Sequence, residues 1–203
     1  MFGRKMTVQE MLSLAYLYLL AMGILSDALY YAILGVSYLN FTTILDALIS
    51  PVSMITDNYI ITVVLVIMFG LMYLYITKLM PWVHNRYRDR RWYQKITNIE
   101  KADKRMIQIK DQKNIYKAMA LMFFIMFVSL RVGMGMGTKM RITGKKPYKN
   151  DYTLVFQDGK TEDVRKIGQN SVYFFYVREN EPVVVATPIL DNIKEIKRIK
   201  KLK

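Results

Sequence analysis

The residues that could do chemistry in this chain are few. There is one histidine, His84, among 203 residues, and there is no cysteine. A single imidazole removes most zinc geometries and any Ser–His triad not built around it, and the lack of thiols removes disulfides and thiolate nucleophiles. His84, between Trp82 and Arg86, reads as a solvated imidazole at an interface, with a proton shuttle as the sharper alternative. Catalysis needs convergent groups, such as a nucleophile with its base or a pair of carboxylates, and none is legible. Gly133, Gly135 and Gly137 alternate with Met, with no Lys-Ser/Thr following and no strand before them. That is neither a P-loop nor a dinucleotide fingerprint, and a hinge or close helix packing is the better reading. What remains is Asp27 and Arg131, each set within an otherwise uncharged apolar block. Ionisable groups at such depth are functional candidates by default, and pairing would relieve two costly desolvations. No catalytic, cofactor-binding or metal-binding residue is assigned, and the chain is not read as an enzyme.

The elements that must position this pair start from residues 59–77, nineteen residues without a charge. At helical rise they match a hydrocarbon core of roughly 30 Å. They are apolar all round, with Tyr59 at one end and Tyr73, Tyr75 and Trp82 at the other, as in an interfacial aromatic belt. This predicts a membrane protein with a span over about 59–80, broken at Pro81. A first span is expected over about 11–39, uncleaved because its apolar run outlasts a signal peptide, with Asp27 near its outer end. A hairpin turning near Asp27 would make its first arm too short to cross. A third span is expected over about 118–138, where Arg131 can snorkel to the far interface.

Charge assigns the sides. The leader carries Arg4 and Lys5, and residues 81–117 hold eleven Lys and Arg against four acids. Residues 40–58 hold no Lys or Arg and carry Asp46 and Asp57. The positive-inside rule therefore puts the amino terminus and the 81–117 loop in the cytoplasm and the 40–58 loop outside. Three crossings then carry the tail outside, unless the third block stops at Arg131. The net charge of +14 fits anionic lipid headgroups better than nucleic acid. Within residues 40–58 the spacing predicts a short interfacial helix, capped by Thr43 or Thr42 and ended by Ser50-Pro51. A re-entrant dip is the alternative. Within the basic loop, Trp92, Ile96, Ile99, Ala102, Met106 and Ile109 step by three or four and predict one amphipathic helix over about 84–113. It would lie on the membrane surface or pack on its neighbours; partner binding is the second reading.

After a linker at 139–150 the period changes to two. Strands are expected at 152–156, 161–167, 171–177, 183–187 and 194–199, with turns at Asp158-Gly159, Gly168-Gln169-Asn170 and Asn180-Glu181-Pro182 and a 3₁₀ turn at 189–193. A basic helix is the alternative for the end. Five short strands with a helical turn before the fifth predict a small SH3-like or Sm-like barrel over 151–203. So small a core would lean on the membrane part, residues 1–138, or on a partner. The fold class is thus membrane α-helical with three transmembrane helices plus a small C-terminal all-β domain.

This layout resembles a loose group of bacterial inner-membrane proteins with two or three spans and a small β tail. The likeness rests on the aromatic segment 29–38 (LYYAILGVSY) and on the tail's 167–176 (IGQNSVYFFY) and 187–193 (TPILDNI). It implies a multi-pass inner-membrane location and carries over no site residue. The function expected is a non-catalytic membrane subunit or adaptor whose basic loop and β tail bind protein partners or further copies of itself. The alternative is a small oligomeric pore-forming or membrane-perturbing effector, with Asp27 and Arg131 lining a path.

Overall fold

A computed structural model describes residues 7–56, 59–109, 112–144, 149–179 and 181–199. Arg4, Lys5, Asp57 and Asn180, part of the 139–150 linker and the Ile109 side chain lie outside the described residues. Three helices are long and apolar enough to cross a membrane: Val8–Ile33, Tyr59–Tyr87 and Asn114–Thr143. The chain divides into two compact units, Met1–Ser53 with Val128–Lys203, and Met54–Phe127.

In the first unit, α1 (Val8–Ile33) starts at a capping box. The Glu10 N–H donates to Thr7 Oγ1 and the Thr7 N–H to Glu10 Oε2, which satisfies two orphan donors. It stops earlier than expected because Gly35 turns left-handed (φ 84°), and the Gly35 and Val36 N–H groups fold back on Ala32 and Tyr31 carbonyls. A 3₁₀ turn, Tyr38–Phe41, follows. Then α2 (Ile44–Thr56) is capped by Thr43, and Pro51 does not end it. Proline forfeits its own bond to the carbonyl four residues back, that of Ala47, and its ring crowds that carbonyl. That carbonyl lies against Gly23 of α1, where a Cβ would collide with it. Gly23 stands ten residues, or about 15 Å, back from the end of α1. So α2 packs down the side of α1 and is not confined to its end.

From Val128 onward, α7 (Gln112–Thr143) runs parallel to α1: Arg131 meets Asp27, and Gly135 meets Tyr30 and Ile33. The helix continues through the first residues of the expected linker. Beyond it, β1 (Tyr152–Phe156), β2 (Thr161–Gln169), β3 (Tyr173–Arg178), β4 (Val184–Pro188) and β5 (Ile193–Arg198) form one antiparallel sheet in the order β4-β3-β2-β1-β5. Gly159 (φ 84°) makes the β1–β2 turn. The chain reaches β5 through a turn closed by Ile193 N–H on the Ile189 carbonyl, with Asp191 left-handed, in place of a 3₁₀ helix. Gly168 and Gln169 belong to β2, after a bulge between Lys166 and Gly168, and the expected turn falls later, from Asn170 to Tyr173.

The expected barrel does not close; β4 and β5 form no ladder with each other among the described residues. Burial explains why closure is unnecessary. β3 is apolar on both faces, and its residues alternate between two cores. Phe174 and Tyr176 pack with Leu154, Val164 and Ile193 on one face. Phe175, fully buried, packs with Tyr30, Tyr31 and Tyr38 on the other. The small sheet leans on the end of α1, as its size demanded.

In the second unit, α3 (Tyr59–Leu74) continues through one wide turn, Tyr75–Leu79, into α4 (Met80–Tyr87). The wide turn, in which Met80 N–H reaches the Tyr75 carbonyl, accommodates Pro81, so the helix does not break there. The expected amphipathic helix over 84–113 is divided between α4, α5 (Arg91–Ile96) and α6 (Ile99–Ile109). Thr97 is extended, and Asn98 Oδ1 caps α6 at the Lys101 N–H. The even apolar stripe predicted continuity, but the capping asparagine restarts the helix.

Candidate functional site

Asp27 and Arg131, singled out from sequence, form an ion pair between Arg131 Nη2 and Asp27 Oδ1. α1 supplies the carboxylate and α7 the guanidinium. Asp27 is 2% exposed, beside the fully buried Ser26, whose hydroxyl donates to the Gly23 carbonyl at 3.2 Å. The Arg131 guanidinium also lies 4.3 Å from the centroid of the Tyr30 ring, where the ring face favours a cation. Tyr30 then reaches with its hydroxyl toward the Ile167 carbonyl, 3.5 Å away, at the bulge in β2. The ion pair therefore touches, through one tyrosine, the strand that seats the sheet. Its charges are engaged with each other, an arrangement suited to holding helices in register.

The seat is aromatic. Tyr31 stacks on Tyr38 at 4.5 Å and tilts against Phe175 at 4.7 Å, and Phe41 meets Tyr173 edge-on at 5.1 Å. Gly168 admits the Tyr31 hydroxyl, since any Cβ there would collide with it. Burial first, then the nearby Asp27 charge, pushes the Tyr38 phenol up to about 12. Polar contacts rim this core. Asn170 Nδ2 donates to the Phe41 carbonyl at 2.7 Å, and the Ser171 N–H and hydroxyl donate to Asp46 at 3.0 Å each. Asp46 also accepts from Thr43 at the start of α2. Burial raises its carboxyl pKa, but the bonds from Thr43 and Ser171 outweigh that and hold it below the ordinary value.

His84 departs from expectation. It is not solvated but 2% exposed, with Nε2 2.7 Å from Asp103 Oδ1 and Nδ1 3.2 Å from the Tyr93 hydroxyl. Arg88 Nη2 donates to the other Asp103 oxygen at 2.7 Å. One residue from each of α4, α5 and α6 thus meets at a single imidazole. The His84 hydrogen bond, with help from Arg88, keeps the Asp103 carboxyl below its ordinary value. A carboxylate and a hydroxyl flanking an imidazole resemble a proton relay in outline. Both ring nitrogens are engaged within the protein, and these two contacts tie α4, α5 and α6 together.

Sequence reasoning singled out Asp27, Arg131 and Thr43 but missed Asp103, Ser171 and Gly23. His84 and Arg88, four apart on one helix face, were a usable sign of a shared acidic partner. Of the three alternating glycines only Gly135 makes a close approach, while Gly133 and Gly137 face open space. Among the described residues no cluster of three or more His, Cys, Asp or Glu could hold a metal ion. The chain matches no protein-family model, no curated protein and no solved structure.

Proposed function

We propose that this is a non-catalytic, multi-pass membrane adaptor, of the kind found in bacterial inner membranes, that holds a small sheet against the membrane surface for a protein partner or a second copy. The observation that carries this reading is the seating of Phe175 and Tyr173 on Tyr31, Tyr38 and Phe41, which fixes the sheet to the spanning part. β4 and β5 are the sheet's edges, and Val183 and Leu190 stand exposed beside them. Edge strands are where a partner strand can add. The strand order also supports an SH3-like meander left open at one seam.

The parallel run of α1 and α7 supports a three-span topology, since it calls for one crossing back between them. The Tyr59–Tyr87 helix is long enough to supply it. The sheet then shares a side with residues 34–46, to which Asn170 and Ser171 bond. The basic 81–117 loop takes the cytoplasmic side and the sheet the outer one, since short loops obey the charge rule more closely than folded domains.

Photo-crosslinkers placed at Val183 on the sheet and at Ile67 on α3 test the adaptor reading in cells. Discrete protein adducts at 183, with lipid adducts alone at 67, are expected; no protein adduct at 183 counts against it. The pore-forming alternative predicts ion flux from reconstituted liposomes that Asp27→Asn alters. The engagement of Asp27 with Arg131 favours the adaptor.

A further inference from the structure

We propose that α4, α5 and α6 build a binding site for anionic phospholipid headgroups at the leaflet where the Tyr59–Tyr87 helix emerges. This goes beyond the adaptor reading and does not depend on it. Three features of the second unit carry it. The first is that the segment is prefolded, because His84, Tyr93 and Asp103 clasp the three helices together.

The second is an aromatic run along its turn. Trp82 meets Tyr87 at 6.4 Å, Tyr87 meets Trp92 at 5.4 Å, and Trp92 meets Tyr93 at 5.7 Å. Even so, Trp82 and Trp92 remain 58% and 52% exposed, Ile96, four residues on from Trp92, is exposed, and so is Ile107 on α6. Tryptophan with aliphatic neighbours favours the boundary between acyl chains and headgroups.

The third is unspent charge. Of the three described acids in this segment, Asp103 is taken by His84 and Arg88 and Glu100 by Lys104, which leaves the exposed Asp89 against six cations. Arg86, Arg90, Arg91, Lys95, Lys101 and Arg105 are exposed and make no ion pair among the described residues. Cations beside exposed aromatics would suit nucleic acid as well. Two observations favour lipid: the exposed isoleucines, which nucleic acid does not reward, and the direct continuation of a spanning helix into α4. Eight residues of α4 advance about 12 Å, which keeps the site near the headgroup layer.

Trp82 and Trp92 are the only two tryptophans in the chain, so its indole fluorescence reports on this site alone. The full chain carrying Trp82→Phe is reconstituted into vesicles of equal parts phosphatidylglycerol and phosphatidylcholine, with brominated chains on one lipid or on the other. Quenching of Trp92 about twofold or more stronger by the brominated anionic lipid is expected. The excess should fall at about 0.5 M salt, where the screening length shrinks to a few Å. Arg91→Gln with Lys95→Gln should reduce it further. Equal quenching by both lipids would overturn the headgroup site and leave a plain interfacial segment. No quenching by either would place Trp92 off the bilayer and assign the cations to a polypeptide or nucleic acid.

Discussion

Removing one member of the Asp27–Arg131 pair leaves the other charge buried and unanswered. The expected loss for Asp27→Leu or Arg131→Leu is about 3–5 kcal/mol. Asp27→Leu combined with Arg131→Leu should be milder than the single changes add up to, because no orphan charge remains. Thermal unfolding of the four proteins in one detergent checks this, and strict additivity would mean the pair contributes nothing. The glycines give a second contrast at this scale. Gly23→Val should destabilise severely, since the new side chain meets the Ala47 backbone, which cannot step aside. Gly133→Val faces open space and, because valine is a better helix former than glycine, should be neutral or stabilising by roughly a few tenths of a kcal/mol. Comparable unfolding temperatures for the two variants would contradict the close approach of α1 and α2.

At the scale of elements, Asp46 serves two at once, closing the cap of α2 and receiving the β2–β3 turn at Ser171. Asp46→Ala should cost about 1–2 kcal/mol, as a lost cap does, and free the turn as well. Slower amide exchange at Ser171 in the native protein than in the variant is the readout. The pH dependence follows from the sign of the shift. A carboxyl held below its ordinary value of 3.8 adds stability that is complete well above that value. That stability disappears as the pH falls through the folded value. The difference in stability between native and Asp46→Ala proteins should therefore be flat near neutrality and narrow only below about pH 4. A difference that changes between pH 6 and 8 would point to another group.

For the whole molecule, the aromatic seat should couple the sheet to the spanning helices. Phe175→Ala removes a fully buried ring against Tyr31, Tyr38 and Phe41 and should cost about 3–5 kcal/mol. Because the seat joins sheet and helix, protease access to the sheet should rise in step with lost helix stability; a freed sheet over an unchanged helical part would refute the coupling. The side occupied by each part can be read in the cysteine-free chain. Single cysteines at the exposed Lys160 and Lys101 meet an impermeant thiol reagent on intact cells. Labelling at 160 without labelling at 101 is expected, and the reverse pattern inverts the topology.

The sequence alone determined the three apolar helices, the sheet's strands and the isolation of Asp27 and Arg131, because each rests on local composition or short period. Uncharged runs of helical span length, β-branched alternation and a charge inside an apolar block need no knowledge of the fold. Tertiary structure decided what local signals leave open. Pro51 and Pro81 fail to end their helices, since α2 gains packing on Gly23 and a wide turn accommodates Pro81. His84 is buried because an aspartate nineteen residues away reaches it. The sheet stays open because its second face is covered by Tyr31 and Tyr38, residues more than a hundred positions upstream. Contacts between residues that distant depend on which surfaces meet, and no period or propensity encodes that.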